Sequence, residues 1–277
     1  MKNFFLFTAI AITCFAVNAQ TLRTPAASPA QTIKQDFGIA SVEISYSRPG
    51  VKGRKVFGDL VPFGKVWRTG ANNATTITFG DTVTIADTKI APGKYGLLTI
   101  PDKDSWTIII SKATNVTSSV DYNMENDVAR YTAKTYGLKD KVETFTMQFA
   151  NVKPSSCELQ LAWENTMVSL PITTDVETQV MKQIDNIMNK DTRPYYAAAS
   201  YYMETGKDLN QALAWLDKAA QQQPNAYWVY HQRANALARL GRKAEAKTAA
   251  EKSMELAKAQ KNDDYVRLNE KLLAELK

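Results

Sequence analysis

The residues whose types could do chemistry together crowd into one run, Arg48 to Asn73, which reads RPGVKGRKVFGDLVPFGKVWRTGANN. Guanidinium forks take oxyanions through paired N–H groups, amides orient them, and an indole covers the face of a ring. If they converge, Arg48, Lys52, Arg54, Trp67, Arg68, Asn72 and Asn73 form a site for a small anionic or sugar-like ligand. Lys65 and Thr69 lie in the same run. A structural reading competes with this one. It makes Trp67 a core plug, pairs Arg68 with Asp59 or another internal carboxylate, and leaves the glycines to serve turns.

No complete catalytic constellation can be read. A cell-envelope hydrolase with its site near residues 48–73 is the alternative function, and it needs titratable groups converging in one cleft. A purely structural interaction module is the second alternative. Cys157 lies beside a strand-like run and reads as a buried, inert thiol. As a nucleophile it would want a histidine, and the single histidine, His231, falls in a different domain. The stretch Asp121 to Asp127 alternates oxygens as calcium loops do, but Asn126 stands where glycine is usual and Thr132 where a glutamate is expected. No His/Cys cluster supports zinc. The expectation is therefore no metal and no cofactor.

Composition bounds the partners. A net charge of +6 is mild for 277 residues, and acidic residues are interspersed with basic ones. No compact basic stripe or RNA-binding signature occurs, so no nucleic-acid partner is expected. Residues 1–19 read as a signal peptide: Lys2 is the positive start, Phe4 to Ala16 the apolar run, and Val17-Asn18-Ala19 the cleavage site. The run is too short to span a membrane. Export to the periplasm or beyond follows, with lipid anchoring at Cys14 as a minor alternative. Once the signal is removed, Cys157 is the remaining cysteine and no internal disulfide forms.

The elements that must position these residues come in two rhythms. Residues 20–30 read as a linker or disordered arm. From residue 31 to 173 apolar side chains alternate in twos. Val42, Ile44 and Tyr46 share a face, as do Phe145, Met147 and Phe149, and Leu159, Leu161 and Trp163. Trp106 to Ile110 is nearly continuous, which predicts burial on both faces. Glu164-Asn165-Thr166 reads as a turn into Val168, Leu170 and Ile172. Evenly spaced strands with turns between them predict an all-β sandwich or jelly-roll-like domain.

Three runs in this region, YSRPGVKGRKVFGDLVPFGKVWRTGAN, KIAPGKYGLLTIP and WENTMVSLPI, resemble the secreted bacterial domain-of-unknown-function family 2911. The resemblance covers roughly Gln31 to Thr173. It implies an exported β-rich domain of a Gram-negative bacterium and no established activity.

From residue 174 to 277 the rhythm becomes helical, beginning with Val176, Val180, Ile184, Ile187 and Met188. Asp191 to Pro194 then breaks the chain. Two following units resemble a tetratricopeptide repeat, with Ala212 and Ala219 answered by Ala246 and Ser253 at that family's period of about 34 residues. Gly241 turns the second unit, Gly206 turns the first one residue early, and Arg233 replaces the usual apolar residue. Residues from Asp263 to Leu276 read as a capping helix. The expectation is an all-α tetratricopeptide-like domain. By the resemblance, Tyr201, Glu204, Trp228, His231, Asn235 and Arg239 would line a groove for a peptide, unless that groove braces the β domain or is solvated.

Overall fold

A computed structural model describes residues 24–188 and 194–277. The expected signal peptide, Cys14 and residues 191–193 lie outside the described residues. The chain divides into two compact units, Met1–Asp175 and Val176–Lys277.

The first unit is two antiparallel sheets. One contains β1 (Ala30–Phe37), β2 (Ala40–Ser47), β3 (Thr76–Phe79), β6 (Gly93–Pro101), β7 (Ser105–Ser111) and β8 (Asp127–Lys134), in the order β1-β2-β3-β6-β7-β8. The other contains β4 (Val83–Ile85), β5 (Thr88–Ile90), β9 (Tyr136–Lys153) and β10 (Ser156–Thr173), in the order β5-β4-β10-β9. Their inner faces share one core, with Ile44, Ile77, Trp106 and Ile108 from one sheet meeting Phe145, Leu161, Trp163 and Leu170 from the other. Alternation is the cause, because a strand turns every second side chain to the same face. In β7 the run Ile108-Ile109-Ile110 is buried on both faces as expected. Ile108 and Ile110 enter the main core, while Ile109 joins Leu98 and Val116 in a smaller cluster on the outer face.

Three local readings are corrected. Glu164-Asn165-Thr166 is no turn: β10 runs through it. Trp163 and Val168 both face the core although five positions separate them, and regular pleating would put them on opposite faces. Glu164, at a left-handed φ of 54°, sits between two register shifts in the pairing with β9, and the change of parity falls there. A strand was also missed. Ala86 and Asp87, with φ of 48° and 62°, join β4 to β5 in a two-residue hairpin. No glycine or asparagine announces it. Finally, the segment before Gln31 is not free. Ala30 already pairs in β1, and Pro29 and Ser28 accept hydrogen bonds from Arg48 and Asn72.

Cys157 lies in the core, where burial pushes its thiol from an ordinary 9.0 to about 11. A raised folded pKa favours the folded state below the unfolded value, and that contribution is lost as pH rises from 9.0 to about 11. Two outcomes are expected. Iodoacetamide should label Cys157 only in denaturant, and Cys157→Ala should flatten the loss of urea resistance over this alkaline range. Labelling of the native protein at pH 8 would contradict the first.

The second unit contains α1 (Val176–Met188), α2 (Tyr195–Glu204), α3 (Leu209–Gln222), α4 (Tyr227–Arg239), α5 (Lys243–Ala259) and α6 (Asp263–Glu275). Small side chains let the helices approach closely, and Ala212, Ala219, Ala246 and Ser253 are all buried. Gly206 and Gly241 stand at matching places, two residues beyond the ends of α2 and α4, with left-handed φ of 70° and 75°. In each case the next N–H reaches back to the helix, Lys207 to Tyr202 O at 2.9 Å and Arg242 to Leu237 O at 2.9 Å. Despite the one-residue offset, the two helices therefore end in the same cap. Arg233, the departure from the apolar pattern, pairs with Asp217 at 2.6 Å.

Candidate functional site

The run that begins at Arg48 leaves the first sheet and joins the second. Phe145 N–H donates to Pro49 O and Val51 N–H to Glu143 O, at 2.9 and 2.8 Å. Arg48 seals this crossing, donating from Nε to Phe145 O at 3.0 Å and from Nη2 to Thr146 Oγ1 at 2.8 Å. The chain returns at Trp67, which exchanges two backbone hydrogen bonds with Thr99 and so continues the first sheet beside β6.

Trp67 meets Trp163 at 5.8 Å between ring centroids and an interplanar angle of 16°, and meets Phe145 at 5.1 Å. Its Nε1 donates to Gly70 O at 3.0 Å. It plugs the core, and its remaining exposed part lines a cavity of about 350 Å³. Arg54, Arg68, Trp163, Thr117, Ser118 and Ser119 line the same cavity, and its lining contains no Asp, Glu, His or Cys.

Arg68 is held unusually. Its Nη1 donates to Thr117 O, while Nε is buried and finds no acceptor within the chain. The pairing with Asp59 or another carboxylate that the competing reading required is not made, and none of the ion pairs among the described residues involves Arg48, Arg54 or Arg68. Leaving a buried donor unpaired costs about 1–3 kcal/mol, more for a charged group. The next residue, Thr69, is fully buried at a φ of 58°, a region that β-branched residues avoid. Its hydroxyl lies 3.1 Å from Thr99 Oγ1, and its carbonyl accepts from Thr75 Oγ1 at 2.8 Å. Gly70 follows, where a Cβ would sit 2.9 Å from Ser47 O. The backbone around Arg68 is thus fixed from both sides by contacts that override local preference.

The structure divides the expected ligand residues. Arg54, Trp67 and Arg68 share the cavity. Arg54 spends Nε on Val51 O at 3.1 Å and Nη2 on Gly50 O at 2.7 Å. Arg48 is committed between the sheets, Lys52 Nζ reaches Ala27 O at 3.4 Å, and Asn72 Nδ2 donates to Ser28 O at 3.0 Å. Asn73 lines a second, adjoining cavity. Sequence reasoning missed Thr117 to Ser119 and Trp163. They are distant in the chain, and no local pattern in them announces a site.

The oxygen-rich stretch before β8 forms a short 3-10 turn, Met124–Asn126, capped by Asn123. Asp127 is engaged by Tyr122 O–H at 2.6 Å and Arg130 Nε at 2.7 Å. Among the described residues no cluster of His, Cys, Asp or Glu could hold a metal.

In the helical unit Glu204, Asn235 and Arg239 line one cavity of about 610 Å³. Arg239 also donates to Met203 O at 2.8 Å, which ties α4 to the end of α2. Trp228 lines a different cavity, with Pro224 and Leu256, and packs edge-on against Tyr227 at 5.0 Å. Tyr201 O accepts from Thr205 N–H at 3.0 Å in the last turn of α2. His231 is occupied by α6. Its Nδ1 lies 2.8 Å from Asn269 Oδ1, and its ring meets Tyr265 at 5.5 Å.

Comparison with known proteins adds one match. A family model described as a protein of unknown function, DUF2911, covers residues 28–172. No curated protein matches the chain, and no solved structure does.

Proposed function

The chain belongs to the DUF2911 family, and we propose that its β unit is a non-enzymatic binding domain for a small anionic ligand, carried on an exported polypeptide of the cell envelope. The observation that carries this reading is the Arg68 guanidinium, in no ion pair, at a cavity lined by two arginines and no carboxylate. An oxyanion would meet guanidinium N–H donors in a site where no acidic group repels it. Trp67 and Trp163 supply an apolar wall, and Thr117, Ser118 and Ser119 complete the lining. A hydrolase would need a general base or a nucleophile paired with one, and this lining offers neither. Export rests on the signal-like residues 1–19. For the helical unit the reading is peptide docking on tetratricopeptide-like repeats, at the cavity where Glu204, Asn235 and Arg239 meet.

The two tryptophans make the test direct. Inorganic phosphate, and benzoate as a carboxylate probe, should each change the intrinsic fluorescence of the full chain in a saturable way. Arg68→Ala should weaken the better probe by roughly ten- to a hundred-fold, the worth of about 1.5–3 kcal/mol for a charge-assisted hydrogen bond. Arg68→Lys should recover part of that loss. Equal affinity in the wild type and Arg68→Ala, or no saturable response to either probe, would refute the assignment.

A further inference from the structure

We infer that the anion taken at Arg68 is one end of a larger molecule, a hexose-sized saccharide bearing a phosphate or carboxylate. The inference rests on the anion assignment above and extends it. A second cavity, of about 470 Å³, adjoins the first. Three segments contribute to both. Ser28 lines the first and Ala30 with Gln31 the second; Gly70 with Ala71 the first and Asn73 with Ala74 the second; Ser118 with Ser119 the first and Thr114 with Asn115 the second. Thr117 lines both. Taken together as one groove, the two volumes run from the arginines toward the outer face of β2 and β3, where Ser45 and Thr76 stand opposite one another.

The chemistry changes along that groove. The first part pairs cations with indole. In the second part, Ser45, Asn73, Thr76 and Asn115 supply hydroxyls and amides, and Lys94 is the one charged side chain in the lining. Hydroxyls and amides both donate and accept, which is what a ring of sugar hydroxyls requires and a bare anion does not. Gln31 only borders this part, because its side chain is turned to the inner face, where Oε1 accepts from Tyr46 O–H at 2.8 Å. The wall formed by residues 114–119 is anchored by Val116. That residue is buried in the outer cluster with Leu98 and Ile109, while Asn115 and Thr117 on either side of it face the groove. The polar residues are therefore presented from a pinned segment.

The test compares ligands that share an anion and differ in the sugar. Glucose 6-phosphate should bind the full chain at least about ten-fold more tightly than inorganic phosphate, or glucuronate more tightly than acetate; whichever pair shows the gain identifies the anion. Asn115→Ala, at an exposed position, should erase the gain from the sugar and leave phosphate binding unchanged. Arg68→Ala should weaken sugar-bearing and sugar-free anions alike. If glucose 6-phosphate binds no better than phosphate and glucuronate no better than acetate, the saccharide inference falls while the anion site stands. If no anion binds, both fall. A gain that survives Asn115→Ala undiminished overturns the placement of the sugar in the second cavity.

Discussion

Trp163→Ala is expected to cost the β unit about 3–5 kcal/mol, the usual range for removing a large buried ring. Domains have only about 5–15 kcal/mol in total, so a substantial unfolded fraction should follow. Trp163 is fully buried and lies against three aromatic partners, Trp67, Phe145 and Phe57, at centroid distances of 5.8, 5.6 and 6.1 Å. It is also the contact through which β10 holds the returning loop, because Trp67 stacks on it immediately before Arg68. Truncation leaves a cavity between the sheets and removes the surface that fixes Trp67. Two readouts should therefore move together: the urea midpoint of the near-UV signal, and the affinity for phosphate. Trp163→Phe should recover part of both. Val152→Ala, at an exposed position on neighbouring β9, should change stability by less than about 0.5 kcal/mol. A loss below about 1 kcal/mol for Trp163→Ala would mean that the aromatic cluster is not the centre of this core.

The same residues show what could be read in the chain before its coordinates. Period-two alternation in Val42 to Tyr46 and Phe145 to Phe149, and the helical recurrence after Asp175, depend only on which face each side chain must bury. They identify two sheets followed by helices. The irregular pairing around Glu164 was not legible as such. The shift of parity between Trp163 and Val168 is present in the sequence, yet it fits a turn as well as a bulge, and only pairing with β9 decides between them. In the Ala86-Asp87 hairpin Asp87 tolerates a positive φ but Ala86 does not favour one, so the turn geometry at Ala86 is imposed by the strands.

The candidate site was half legible for a related reason. Arg54, Trp67 and Arg68 are close in sequence and do meet. Arg48 and Asn72 are equally close, yet backbone carbonyls in β9 and in the segment before β1 claim them. Composition can nominate cations, but it cannot tell which of them the fold will consume. The partner wall at residues 117–119 reaches the cavity only because β7 and β8 pair around it.

Asn269→Asp should destabilise the helical unit by about 3–5 kcal/mol at neutral pH, as expected when a carboxylate is buried without adequate compensation. Asn269 is fully buried on α6. Its Nδ2 donates to Ser253 Oγ at 2.8 Å and to Tyr265 O at 2.7 Å. Ser253 Oγ in turn donates to Tyr227 O at 2.7 Å, so it can only accept from Asn269. These partners fix the amide orientation, put Oδ1 toward His231, and require His231 Nδ1 to carry a proton. One side chain thereby ties α6 to α4 and α5. A carboxylate in its place would aim a second acceptor at the Tyr265 carbonyl, and the single His231 donor would offset only part of that repulsion.

The pH dependence separates this mechanism from a packing defect. Burial raises the folded pKa of the introduced acid, so the neutral form is the one the folded state tolerates. The deficit relative to wild type should be smallest below about pH 4 and grow as pH rises through the raised value. Asn269→Leu removes the amide without adding charge. Ser253 keeps its own acceptor and the Tyr265 carbonyl keeps its place in the helix, so the cost should fall to about 1–2 kcal/mol, from the unpaired His231 donor, and show no such acid recovery. Equal losses for the two variants at neutral pH, with the same pH profile, would show that the hydrogen-bond network contributes nothing beyond the volume Asn269 fills.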